Sequence, residues 1–84
     1  MNLEHHKNIS LSTSMNYRIT AQGWLDDSWS DRLSGMHIKV QIPENKKPIV
    51  ILDGKLKDQA DLLGVLNNLN ELRLPILSVE LLAS

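Results

Sequence analysis

From Tyr17 onward, apolar and polar residues alternate. Tyr17, Ile19, Ala21, Gly23 and Leu25 fall on one side, and Arg18, Thr20, Gln22 and Trp24 on the other. Period two is the pattern of a strand with one face on a core. A second such run sets Met36, Ile38, Val40 and Ile42 against His37, Lys39 and Gln41. Ile49-Val50-Ile51-Leu52 reads as a third strand, closed by Asp53-Gly54. The fourth is Pro75 to Leu82, with proline acceptable at a first strand position. Between Asp58 and Arg73 the period lengthens to that of a helix. Leu62, Leu63, Leu66, Leu69 and Leu72 form its apolar stripe with Val65 on the flank, and Asn67, Asn68, Asn70 and Glu71 form its wet face. Asp58 is the expected N-cap, and Asp61 stands near the positive end of the dipole. Gly64 costs about 1 kcal/mol against alanine inside a helix, with close packing on the sheet as the expected compensation. Between the first two strands, Asp26 or Asp27 opens a helix of about two turns in which Trp29 and Leu33 stack, and Gly35 stops it. Pro43 to Pro48 is a turn.

The order strand, short helix, strand, strand, long helix, strand is the ferredoxin-like β-α-β-β-α-β plan, an α+β fold. It predicts a four-stranded antiparallel sheet in the order 4-1-3-2 with helices on one face. The alternative leaves 26–33 as an irregular loop and gives βββαβ with a single helix. Right-handed crossovers place Leu77, Val79 and Leu81 on the helix side. The expected core is Ile19, Leu25, Trp29, Ile38, Val40, Leu52, Leu62, Leu66, Leu69, Leu77 and Val79. Residues 1–16 are rich in Asn, Ser, Thr and His without periodicity and read as a flexible tail, leaving 17–84 as a single domain.

Several of these elements carry a resemblance. Tyr17-x-Ile19, Gly23-x-Leu25, Trp29-Ser30, Gly35-Met36-x-Ile38, Leu52-x-Gly54-x-Leu56-x-Asp58-Gln59-Ala60, Leu66 and Leu74-Pro75-x-Leu77-Ser78-Val79 are similar to a group of small, uncharacterised bacterial proteins. The resemblance covers most of 17–79, and its most specific piece is Gly-x-Leu-x-Asp-Gln-Ala ahead of a leucine-rich helix. That group usually carries glycine after the helix, where this chain has Arg73. The resemblance implies a bacterial source and no particular activity.

Composition narrows the function classes. With 84 residues there is room for one domain, which buries only about 60–65% of its unfolded surface, so a partner subunit would add stability. The absence of cysteine removes disulfides and thiolate metal sites. A net charge of -1 without a basic block argues against nucleic acid as a partner. No apolar run approaches the roughly 18 residues of a membrane span, and the N-terminus lacks the apolar centre of a secretory signal. A cytoplasmic protein with no membrane partner is the expectation.

Polar residues offer weak chemistry. Asp26, Asp31 and Arg32, with Asp27, are candidates for ligand or divalent-ion binding, but helix capping and a solvated ion pair account for them more simply. Asp58 and Gln59 open the long helix and are candidates for hydrogen-bonding a ligand, although such residues more often secure a loop. His37 faces away from the helices and has no histidine at ligand spacing, so no metal or other cofactor is expected. The remaining signal is apolar: alternation places Trp24, Ile49, Ile51, Ile76 and Leu82 on the uncovered sheet face. A patch of that kind marks association. The leading expectation is a non-catalytic interaction domain that binds itself, as a homodimer, or another protein. The alternative is a small-ligand-binding or enzymatic dimer with a pocket between sheet and helices.

Overall fold

The computed structural model describes residues 14–82. Strand β1 spans Met15–Gln22, β2 His37–Gln41, β3 Ile49–Leu56 and β4 Ile76–Leu81. Helix α1 spans Gln59–Glu71, and a 3-10 helix spans Asp27–Leu33. The strands form one antiparallel sheet in the order β2-β3-β1-β4, which read from the β4 edge is 4-1-3-2. The architecture is α+β, and the departure from the expected plan lies in the first crossover. Asp27-Ser28-Trp29-Ser30-Asp31 is dominated by side chains that compete for the backbone and disfavour an α-helix. The segment tightens instead into a 3-10 helix, as in the bond from the Trp29 N–H to the Asp26 carbonyl at 3.0 Å.

The strand ends also shift. The expected tail lies outside the described residues as far as residue 13, and Met15 and Asn16 already belong to β1. Gly23, at φ 136°, turns the chain out of β1 against Leu74. Asp53-Gly54 does not close β3. Arg18 pairs with Asp53, Tyr17 with Gly54 and Met15 with Leu56, so the longer first strand carries its neighbour along. Glycine suits position 54, where a Cβ would meet the Met36 Cα at a tight 3.2 Å.

The core lies between the sheet and α1. Ile19 and Ala21 of β1, Ile38 of β2, and Val50, Leu52 and Leu56 of β3 are buried against Val65 and Leu69 of α1, with Leu25, Leu33 and Met36 closing the sides. Trp29, Val40, Leu62 and Leu66 pack at its margin, half-buried. The helix is therefore rotated from the expected phase: Val65 is central and Leu63 stands in solvent. Gly64 has open space where a Cβ would be, so no close packing compensates for it.

Both ends of α1 are specified locally. The Asp61 N–H donates to the Asp58 carboxylate at 2.8 Å, and the Lys57 N–H donates to the Asp61 carboxylate at 3.2 Å. Asp58 is thus the N-cap, as its position implied. At the other end Leu74 donates to the Leu69 carbonyl and Arg73 to that of Asn70, both at 3.0 Å. This is a Schellman closure in which Arg73, at φ 61°, takes the left-handed position that glycine usually fills.

Candidate functional site

The polar candidates do not converge. Asp26 caps the 3-10 helix by accepting from the Ser28 N–H at 3.4 Å. Asp31 is exposed on that helix, and Arg32 lays its guanidinium over the Trp29 ring at 5.0 Å while its carbonyl accepts from the Asn68 side chain at 2.7 Å. His37 is exposed on the outer sheet face, away from the 3-10 helix and α1. Asp58 is occupied in capping, and its neighbour Gln59 is exposed. Among the described residues no group of three or more His, Asp or Glu side chains is placed to hold a metal ion.

The best-connected titratable group is Asp61, which was expected only to favour the helix dipole. The Ser34 hydroxyl donates to its carboxylate. That bond, with help from the Lys57 N–H and the Lys57 charge, outweighs burial and holds the carboxyl below its usual value. Asp61 and Asn68 thereby tie one flank of α1 to the 3-10 helix. An open depression of about 330 Å³ beside Asp61, Ser34, Lys55 and Lys57 contains none of the six polar candidates. Another, of about 480 Å³, is framed by Tyr17, Arg18, Asp53 and Leu82 and is also open to solvent.

The five apolar candidates are likewise separated. Ile49 and Ile51 remain on the outer face, half-buried among Thr20 and Gln22 of β1 and Lys39 and Gln41 of β2. Trp24 lies beyond the end of β1 and is 60% exposed. Leu82 sits at the opposite end of the sheet, its N–H bonded to the Asn16 carbonyl at 2.8 Å. Ile76 is turned over. The pairing register shifts between Thr20 and Ala21, so Ile76 lies opposite Ala21, on the helix side. A bulge of this kind reverses the face to which alternation assigns a residue. The rest of the outer face is polar, with Glu80, Arg18, Asp53 and His37 in one row across all four strands. Arg18 and Asp53 are bonded at 2.7 Å within it.

An apolar surface does exist, in another place. Val79 pairs with Ile19 and Leu81 with Tyr17, which puts both on the helix side as expected. Leu77 and Val79 were also expected in the core, and they are not: Leu77 is 53% exposed and Val79 42%, with Leu81 beside them at 55%. The cause is missing cover. Among the described residues the 3-10 helix packs on β2 and α1, and the helical cover over β4 comes mainly from α1. Because Asp61 and Asn68 hold one flank of α1 against the 3-10 helix, helical periodicity turns Leu63 and Leu66 toward the other side. Leu63 is 54% exposed. The signal that could have revealed this surface is the polarity of residues 26–32, which offer too little apolar face to cover a strand.

Fold and surface together define a small α+β domain with an open sheet, one covering helix and an apolar edge strand. The chain belongs to the family described as a domain of unknown function (DUF8691), whose model matches residues 16–80. No curated protein and no solved structure matches it. Among the described residues no helix is long and apolar enough to cross a membrane.

Proposed function

We propose that this domain is a non-catalytic self-association module, built on a ferredoxin-like plan whose first helix has contracted to a 3-10 turn. The observation that carries the reading is the exposed apolar surface of Leu77, Val79 and Leu81 on β4 with Leu63 on α1. Exposed apolar side chains gathered on one face of a strand mark a contact site on a small domain. The polar candidates, by contrast, are dispersed over three regions and engaged in capping or solvated. A bacterial source is what the sequence resemblance favours, and a homodimer is the commonest closed assembly.

The test is sedimentation velocity at rising concentration on the protein and on the double variant Leu63→Asp, Leu81→Asp. Both side chains are more than half exposed, so the fold should survive. A dimer that forms in the parent and is lost in the variant supports the reading. A parent that stays monomeric up to about 1 mM, a concentration corresponding to only about 4 kcal/mol of association, overturns it.

A further inference from the structure

We propose that the second copy adds its own β4 antiparallel to β4, in the register that sets Val79 opposite the partner's Val79. This rests on the self-association reading above and specifies how it is achieved. In the sheet order β2-β3-β1-β4, strand β4 has β1 on one side and, among the described residues, an open edge on the other. Its backbone parity follows from one bond. The Leu82 N–H points to β1, where it meets the Asn16 carbonyl at 2.8 Å. Strand backbone groups alternate in direction, so Glu80 and Ser78 also turn toward β1, while Val79 and Leu81 turn N–H and C=O to the open edge. The residues with outward backbone groups are therefore those with side chains on the apolar, helix-side face.

An antiparallel two-fold pairing must match faces, which restricts its centre to a residue. Centring on Glu80 sets the two Glu80 carboxylates against each other, which is unfavourable. Centring on Ser78 carries the pairing across the bulge at the start of β4, where the Pro75 carbonyl turns to the Gln22 N–H at 2.8 Å and leaves Leu81 without a regular partner. Centring on Val79 sets Leu77 opposite the partner's Leu81 and valine against valine on the apolar face, and a Ser78 hydroxyl beside a Glu80 carboxylate on the other. Of these three centres, only Val79 makes the strand its own complement. The competing edge, β2, is only His37–Gln41 and carries Lys39, the kind of residue that blunts an edge. The product is a continuous eight-stranded sheet with both α1 helices on one face.

The chain has no cysteine, so single-cysteine variants report pairing cleanly. In a hydrogen-bonded antiparallel pair the Cα atoms stand about 5.5 Å apart, within the roughly 4.4–6.8 Å that a disulfide spans. Under mild oxidation Val79→Cys should give a covalent dimer. Ser78→Cys should not, because its diagonal separation is about 7–8 Å, and Lys39→Cys should not, because it lies on the other edge. In the parent, amide exchange at Val79 and Leu81 should slow by roughly tenfold or more between dilute and concentrated samples. Linking through Ser78→Cys alone would overturn the register, and linking through Lys39→Cys alone would overturn the edge. A parent dimer abolished by the Leu63→Asp, Leu81→Asp variant, with no Val79→Cys link and no protection of those amides, would overturn the pairing while leaving self-association standing. A monomeric parent with no link would remove both.

Discussion

Arg73 offers a direct test of how α1 ends. It sits at φ 61° in the Schellman closure, and among the described residues its exposed side chain makes no hydrogen bond or ion pair. A side chain in the left-handed region costs about 1–2 kcal/mol, from crowding of Cβ against the following carbonyl. Glycine has no Cβ but surrenders about 0.5–1 kcal/mol more backbone entropy on folding. Arg73→Gly should therefore stabilise the domain by about 0.5–1 kcal/mol, less a few tenths if the guanidinium favours the helix dipole. Arg73→Ala isolates that last contribution, since it removes the charge and keeps the Cβ. For a domain of this size 1 kcal/mol moves the midpoint by about 4–8 °C, so a gain of a few degrees is expected for Gly over Ala. Urea unfolding followed by far-UV circular dichroism gives the same comparison as a shift in midpoint at constant slope. If the glycine variant is no more stable than the alanine variant, the strain is not at residue 73 and the assigned closure is wrong.

Gly64→Ala should stabilise by up to about 1 kcal/mol, because the position is helical and a Cβ there meets nothing within 4 Å; a loss in thermal midpoint would mean that the helix face is misplaced. The Asp61 carboxyl titrates below its unfolded value, so its contribution is fully present above that value, about 3.9, and is lost as pH falls through the lower folded value. Unfolding midpoints measured across that range should decline less steeply for Asp61→Asn and for Ser34→Ala, and parallel acid limbs in parent and variants would exclude the contact.

Much of the architecture was legible because local chemistry and long-range order agreed. Asp58 announces the helix start, and its carboxylate makes the capping bond expected of it. Alternation located four strands and identified Ile19, Ile38 and Leu52 as buried. What alternation cannot report is whether a second layer lies over the face it identifies. Leu77, Val79 and Leu81 have the pattern of core residues and the exposure of surface ones, because the layer above them is one helix wide. Ile76 was lost to a bulge, which inserts one residue and leaves no mark in hydropathy. Leu63 was lost to helix phase: a stripe of five leucines permits two orientations, and the bonds to Ser34 and Arg32 select the one with Val65 inward.

The row of Glu80, Arg18, Asp53 and His37 bears on how copies of this domain avoid one another. A sheet bare on one side is at risk of stacking on a second sheet to form a sandwich about 10 Å thick. Closing such a sandwich here would strip water from the Arg18–Asp53 pair and from Glu80. Removing an ion pair from water can cost more than its attraction returns. Ile49 and Ile51 alone supply too little apolar area in compensation, each worth at most about 1.5–3 kcal/mol when fully buried, and both are already half-buried. The charged row therefore acts as a barrier to layering: the pairing proposed for β4 would extend the sheet sideways, while this face disfavours stacking in depth.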